Sequence, residues 1–204
     1  MKYTPGYKTT KVNPVLIEQV LAAAFAVMAK KGADIRDVTR LELRRAGHIN
    51  KNTFRYNFRD IGGVHTAIAK DICRYLETSL PLKSVAGNAP DLGFFLKLLD
   101  SLVIKQRHID YAILSADREF WQVLLAAIEP QLRIAWLGCS ERAYILSLSL
   151  LGTVLAEAMT AWREKRYAVG YRLSCAQLLH RYVTAIGEMN MEMQDYLDVV
   201  SVFR

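Results

Sequence analysis

The apolar residues Ile17, Val20, Leu21, Ala24, Phe25 and Met28 recur at i, i+3, i+4, i+7, i+8 and i+11. That spacing fits one face of an α-helix. Asn13 is placed to cap it, Pro14 suits the first helical position, and Lys30, Lys31 and Gly32 form a matching end. Lys2, Lys8 and Lys11 followed by Val20–Ala29 imitate a secretion signal, but Glu18 and the helical spacing favour a helix of a folded domain. The same period returns in Val64, Ile68, Ile72, Tyr75 and Leu76, and again in Phe94, Phe95, Leu98, Leu99, Leu102 and Val103. No stretch alternates apolar and polar residues with a period of two. The chain is expected to be all-α.

Between the first two stripes the pattern breaks into short pieces. Thr39 and Glu42 have the spacing of a capping box, so a short helix should run to about Ala46. Gly47 and His48 interrupt it, and both residue types tolerate a left-handed turn. Asn50 can cap a second short helix, Lys51 to Phe58, which buries Ile49, Phe54 and Phe58 and turns Lys51, Asn52, Arg55 and Tyr56 outward. Two short helices joined by a four-residue turn, the second displaying basic and amide groups, make a helix-turn-helix within an N-terminal three-helix bundle.

Charge points to the same segment. Residues 1–80 hold 14 Lys+Arg against 7 Asp+Glu, whereas residues 81–204 hold 13 of each. The whole surplus of the chain therefore lies in its first part. Such asymmetry suggests a polyanion-binding module, residues 1–80, joined to an electrically neutral one, residues 81–204. By itself the charge makes nucleic acid or an anionic membrane surface the leading partners.

The run Leu43-Arg-Arg-Ala-Gly-His-Ile-Asn-Lys-Asn-Thr-Phe-Arg-Tyr-Asn-Phe58 resembles the signature of the TetR/AcrR family of transcriptional regulators. The resemblance is gapless from Thr39 to Phe58 and covers about residues 14–80. Three positions depart from the family pattern: Gly47 replaces an alanine, Arg55 a tyrosine, and Ile61 a lysine that meets the DNA backbone. Arg55 can still reach phosphate; Ile61 cannot. The resemblance implies a sequence-specific, ligand-responsive repressor that binds a palindromic operator as a homodimer in the cytoplasm. An interaction protein on the same scaffold, binding DNA or membrane without regulating transcription, is the alternative. The DNA-facing set is Thr39, Arg40, Lys51, Asn52, Thr53, Arg55, Tyr56 and Arg59. Lys51, Asn52 and Thr53 are placed to read bases, and Arg40, Arg55, Tyr56 and Arg59 to hold phosphate.

Beyond Pro81–Pro90, a linker rich in proline, glycine and small residues, the pattern is helical to the end. Helices are expected at Ile109–Ser115, Glu119–Ile128, Pro130–Trp136, Ala143–Arg166 and Leu173 to about Met189. The last two are the pair that the resemblance implies for the dimer, with Leu148, Gly152, Leu155, Ala156 and Met159 as its seam. The charge-free run Ala143–Ala156 is shorter than the roughly 20 residues of a membrane span. A small apolar or amphipathic effector is expected, lined by Phe95, His108, Tyr111, Trp121 and Tyr144. Trp121, Trp136 and Trp162 also suit ordinary core packing. His108 and Asp110 are too close along a helix to share a face. The histidines lack metal-ligand spacing, and there is no phosphate loop or nucleophile elbow. No catalysis, cofactor or metal is expected. Cys73, Cys139 and Cys175 read as buried thiols.

Overall fold

Asn13 accepts a hydrogen bond from the backbone N–H of Val15, and Pro14 follows it in the first helical turn. The structure, a computed structural model, describes residues 12–32, 34–80, 89–116 and 118–202. Among them all regular structure is helical, ten α-helices and one 3-10 turn, with no strand. The linker at 81–88 and the lysines at 2, 8 and 11 lie outside the described residues. The chain divides into two compact units, Met1–Ile68 and Ala69–Arg204.

The first unit contains α1 (Pro14–Lys31), a 3-10 turn (Ile35–Asp37), α2 (Arg40–Ala46), α3 (Lys51–Asn57) and the start of α4 (Ile61–Ser79). Helix α1 ends where Gly32 turns left-handed at φ 60° and its N–H reaches back to the carbonyl of Met28. Ile17, Val20, Leu21 and Ala24 from α1 enter the core with Leu43, Phe54, Phe58, Val64 and Ile68. Burial of side chains this size contributes about 1.5–3 kcal/mol each relative to exposure. That is the main force holding such short helices together, because helices of seven residues are unstable alone.

The second unit holds the rest of α4 with α5 (Leu92–Ile104), α6 (Gln106–Ser115), α7 (Arg118–Ala126), α8 (Glu129–Ala135), α9 (Glu141–Glu164) and α10 (Val169–Val202). Helix α10 packs on α5, α8 and α9, and α9 also packs on α6 and α7. Ser140 caps α9 through the N–H of Ala143, so the helix starts two residues before the apolar stripe. The seam expected on α9 is largely core instead. Gly152, Leu155 and Met159 are buried, and a Cβ on Gly152 would sit 3.4 Å from Leu125 Cδ1 and 3.8 Å from Trp121 Cβ of α7. The small residue serves the approach of α7 to α9 within one chain.

Helix α9 is also long and apolar enough, by length and composition, to cross a membrane. Eight of its residues are nevertheless buried in this unit, Tyr144, Leu151 and Trp162 among them. Of the cysteines only Cys175 is buried; Cys73 and Cys139 are half-buried. The Cys73 thiol donates to the carbonyl of Val123 at 3.1 Å, and burial pushes its pKa up to about 12.

Candidate nucleic-acid interface

Helix α2 begins with both halves of the capping box formed. Thr39 Oγ1 accepts from the N–H of Glu42 at 3.3 Å, and Glu42 Oε2 accepts from the Thr39 N–H at 2.9 Å and its hydroxyl at 2.8 Å. Glu42 also pairs with Lys31 at the end of α1, so one carboxylate ties two helices. The Lys31 ammonium, with the N–H and hydroxyl of Thr39, lowers the Glu42 pKa from 4.5 to about 2. A carboxylate depressed on folding stabilises the native state above its unfolded pKa and loses that contribution as pH falls through the folded value. Acidification from about pH 4.5 to about pH 2 should therefore weaken the wild type more than Glu42→Gln. Urea midpoints measured across that range check it, and parallel curves would refute it.

The turn after α2 differs from expectation in one residue. Gly47 has φ −87°, an ordinary value, and it is His48 at φ 50° that turns left-handed. The Gly47 N–H bonds to the carbonyl of Leu43 at 2.9 Å, and the Ile49 N–H to that of Arg44 at 2.8 Å. Ile49 is thereby directed inward, 6% exposed.

Helix α3 is capped by Asn50, whose side chain accepts from the N–H of Asn52 at 2.8 Å. The Asn52 side chain is therefore not the cap. Asn57 Nδ2 donates to the carbonyl of Thr53 at 2.8 Å near the other end. Phe54 and Phe58 fix one face in the core, their rings 5.1 Å apart. Asn52, Thr53 and Tyr56 lie on the side away from that pair and Lys51 and Arg55 on its flank; all five are exposed, Tyr56 at 73%. Arg40 is exposed on α2, and Arg59, left-handed at φ 62°, is exposed after α3. Among the described residues none of Arg40, Lys51, Arg55 and Arg59 is in an ion pair. Seven of the eight expected DNA-facing side chains are thus surface groups without structural duty, and Thr39 alone is spent on the capping box.

The five residues expected around an effector are all buried in the second unit, between 1% and 5% exposed. Four of them are engaged with residues outside that set. Phe95 lies against the ring of His180, Trp121 against Phe120, and Tyr144 against Trp136 with the Arg133 guanidinium 4.2 Å over its ring. His108 Nε2 is 3.0 Å from Asp71 Oδ2 on α4. Motif spacing does not reveal Asp71. It sits among Ile68, Ile72 and Tyr75 on the buried stripe of α4, and a carboxylate on an apolar stripe is the signal that could have found it.

Comparison with models of protein families, with curated proteins and with solved structures finds no match.

Proposed function

We propose that the chain is a sequence-specific DNA-binding transcriptional regulator, with α2, the turn and α3 acting as a helix-turn-helix whose α3 enters the major groove. The observation that carries this reading is the exposed face of α3. A short helix held by Phe54 and Phe58 presents two cations, an amide, a hydroxyl and a phenol, and among the described residues none of its cations has an internal counter-ion. Lys51 can donate to guanine, Asn52 can pair with adenine through two hydrogen bonds, and Thr53 can meet a thymine methyl. Arg40, Arg55, Tyr56 and Arg59 flank them at positions suited to phosphate, which sets register without reading sequence. Two copies would place two such helices one turn of DNA apart, about 34 Å. Cytoplasmic location and response to an apolar effector belong to the same proposal.

The test starts from genomic fragments selected by the purified protein and measures fluorescence anisotropy on the selected operator and a scrambled duplex across a salt series. Arg55→Ala should weaken both duplexes alike and flatten the salt dependence, by about one unit of slope for each phosphate that a copy of the protein no longer neutralises. Asn52→Ala should cost about 1–3 kcal/mol on the operator and little on the scrambled duplex. Because Asn50 is the cap, Asn52→Ala should leave the melting temperature nearly unchanged. Full operator preference in Asn52→Ala would remove its base-reading role. Binding to anionic vesicles that salt abolishes, with no selected fragment, would replace the regulator by a membrane-surface protein.

A further inference from the structure

Helix α2 carries three arginines, and one of them is not a plain surface group. Arg40 and Arg45 are exposed, whereas Arg44 is half-buried. Its Nε lies out of reach of solvent and has no hydrogen-bond partner among the described residues. A guanidinium N–H withdrawn from water without an acceptor is unfavourable, because its lost hydration is not replaced. The acidic groups nearby in sequence are committed elsewhere. Glu42 is tied to Lys31 and Thr39, Asp34 to Arg36, and Asp60 to the N–H of Gly63. Glu42 also leaves α2 on nearly the opposite side, since it stands two residues before Arg44.

Arg40, by contrast, shares the side of Arg44. Four residues separate them, so they leave α2 about 40° apart around its axis, one turn from each other. Like charges in that relation repel. Among the described residues neither has a counter-ion. Two guanidinium groups with a common direction and no internal anion are complementary to a phosphate group. Its oxygens accept several N–H bonds at once, and its charge removes the repulsion. Arg44 gains most, because turning outward onto a phosphate gives its Nε the acceptor that the fold withholds.

We propose that Arg44 and Arg40 together clasp one backbone phosphate of bound duplex DNA. Arg44 is then a phosphate-positioning residue in addition to the groups on and around α3. In a helix-turn-helix the first helix crosses the DNA backbone while the second enters the groove, so α2 meets phosphates rather than bases. The assignment rests on the DNA-binding reading and adds to it an anchor that fixes register without reading sequence.

Fluorescence anisotropy with the full chain, on the selected operator and the scrambled duplex across a salt series, tests the site. Arg44→Met keeps the apolar stem and removes the guanidinium. Lys30→Gln is the control, removing one exposed charge of α1 from the same unit. Arg44→Met should weaken both duplexes alike by at least about tenfold. It should also lower the salt slope by about one unit for each copy of the site, while Lys30→Gln leaves the slope nearly unchanged. Without DNA, the urea unfolding constant of Arg44→Met should not exceed that of the wild type, because its Nε has no partner inside the fold. Arg44→Gln repeats these measurements where the methionine variant does not fold. A wild type that binds duplex while Arg44→Met keeps its slope and affinity overturns this site and leaves the α3 reading standing. A wild type that binds neither duplex overturns both. Melting curves with and without inorganic phosphate separate the two sources of the anion. Stabilisation by phosphate that Arg44→Met abolishes, with its DNA salt slope unchanged, assigns the pair to free phosphate and overturns the proposal. An unfolding constant raised by about tenfold or more places the duty of the guanidinium inside the fold, with the same result.

Discussion

Gly63→Ala should destroy the packing of α3 on α4, while Gly62→Ala, one residue earlier, should be harmless. A Cβ at 63 would lie 1.7 Å from the carbonyl oxygen of Phe58 and 2.7 Å from its carbonyl carbon. Neither is a side-chain atom that could swing aside. The obstruction follows from how the chain leaves α3: Arg59 is left-handed, the Asp60 N–H bonds to the carbonyl of Phe58 at 2.7 Å, and Asp60 Oδ1 accepts from the Gly63 N–H at 2.9 Å. That carbonyl is folded over the first turn of α4, and a methyl group fits only if the connection opens. Opening it withdraws Phe58, 3% exposed, from the core. The combined loss is on the order of 3 kcal/mol or more, enough to unfold a small unit. At Gly62 the nearest atom to a new Cβ is Asp60 Oδ1 at 3.4 Å, an ordinary contact. Alanine there should be neutral or stabilise by up to about 1 kcal/mol, since glycine is a poor helix former. Circular dichroism melts of both variants, with DNA anisotropy alongside, make the comparison. A Gly63→Ala protein that melts like the wild type and binds DNA would show that the connection has slack.

Sequence reveals most where the determining contacts are local. The capping box at Thr39 and Glu42, the Asn50 cap and the inward pair Phe54 and Phe58 each depend on residues within four positions of one another. Their spacing carries the whole interaction. The contacts of His108 with Asp71 and of Tyr167 with Asp110 span 37 and 57 positions, so no window of sequence contains both partners. The face of α9 is ambiguous for a related reason. A run of leucine and small residues says that a helix approaches something closely, but not whether that neighbour is in the same chain. Gly152 meets α7, which only the fold could decide. The corner between α9 and α10 is hidden because it contains none of the usual breakers, and α10 begins at Val169, ahead of the expected Leu173. Arg166 and Tyr167 take the positions that glycine would, held there by Trp162 and Asp110 from outside the turn.

If the protein is the homodimer that the proposed function requires, replacing Leu146 and Leu150 together by glutamate should convert it to a 23.1 kDa monomer. With the inner face of α9 used inside the chain, its outer face is left with Ile145, Leu146 and Leu150 at 59%, 60% and 47% exposed. Helix α10, packed beside α9, leaves Leu178 and Met189, which share one side of it, at 50% and 58% exposed. Ser149, Thr153 and Ala185 lie exposed among them and permit close approach. Two neighbouring helices with apolar outer rows are self-complementary under a two-fold axis, since the same patch can meet its copy. In such a dimer four glutamates in that seam would each have to be desolvated without a counter-ion, which is strongly unfavourable. On the proposed reading, losing the dimer would separate the two reading helices, and with them the gain from binding two half-sites at once. Operator affinity should then fall by about 10²–10⁴, while the far-UV circular dichroism of the folded chain stays unchanged, because neither leucine belongs to the core of its own chain. Sedimentation equilibrium and anisotropy on the selected operator provide the readouts. A wild type that sediments as a monomer at micromolar concentration, or a double-glutamate variant that keeps both its dimer and its operator affinity, would place the interface elsewhere.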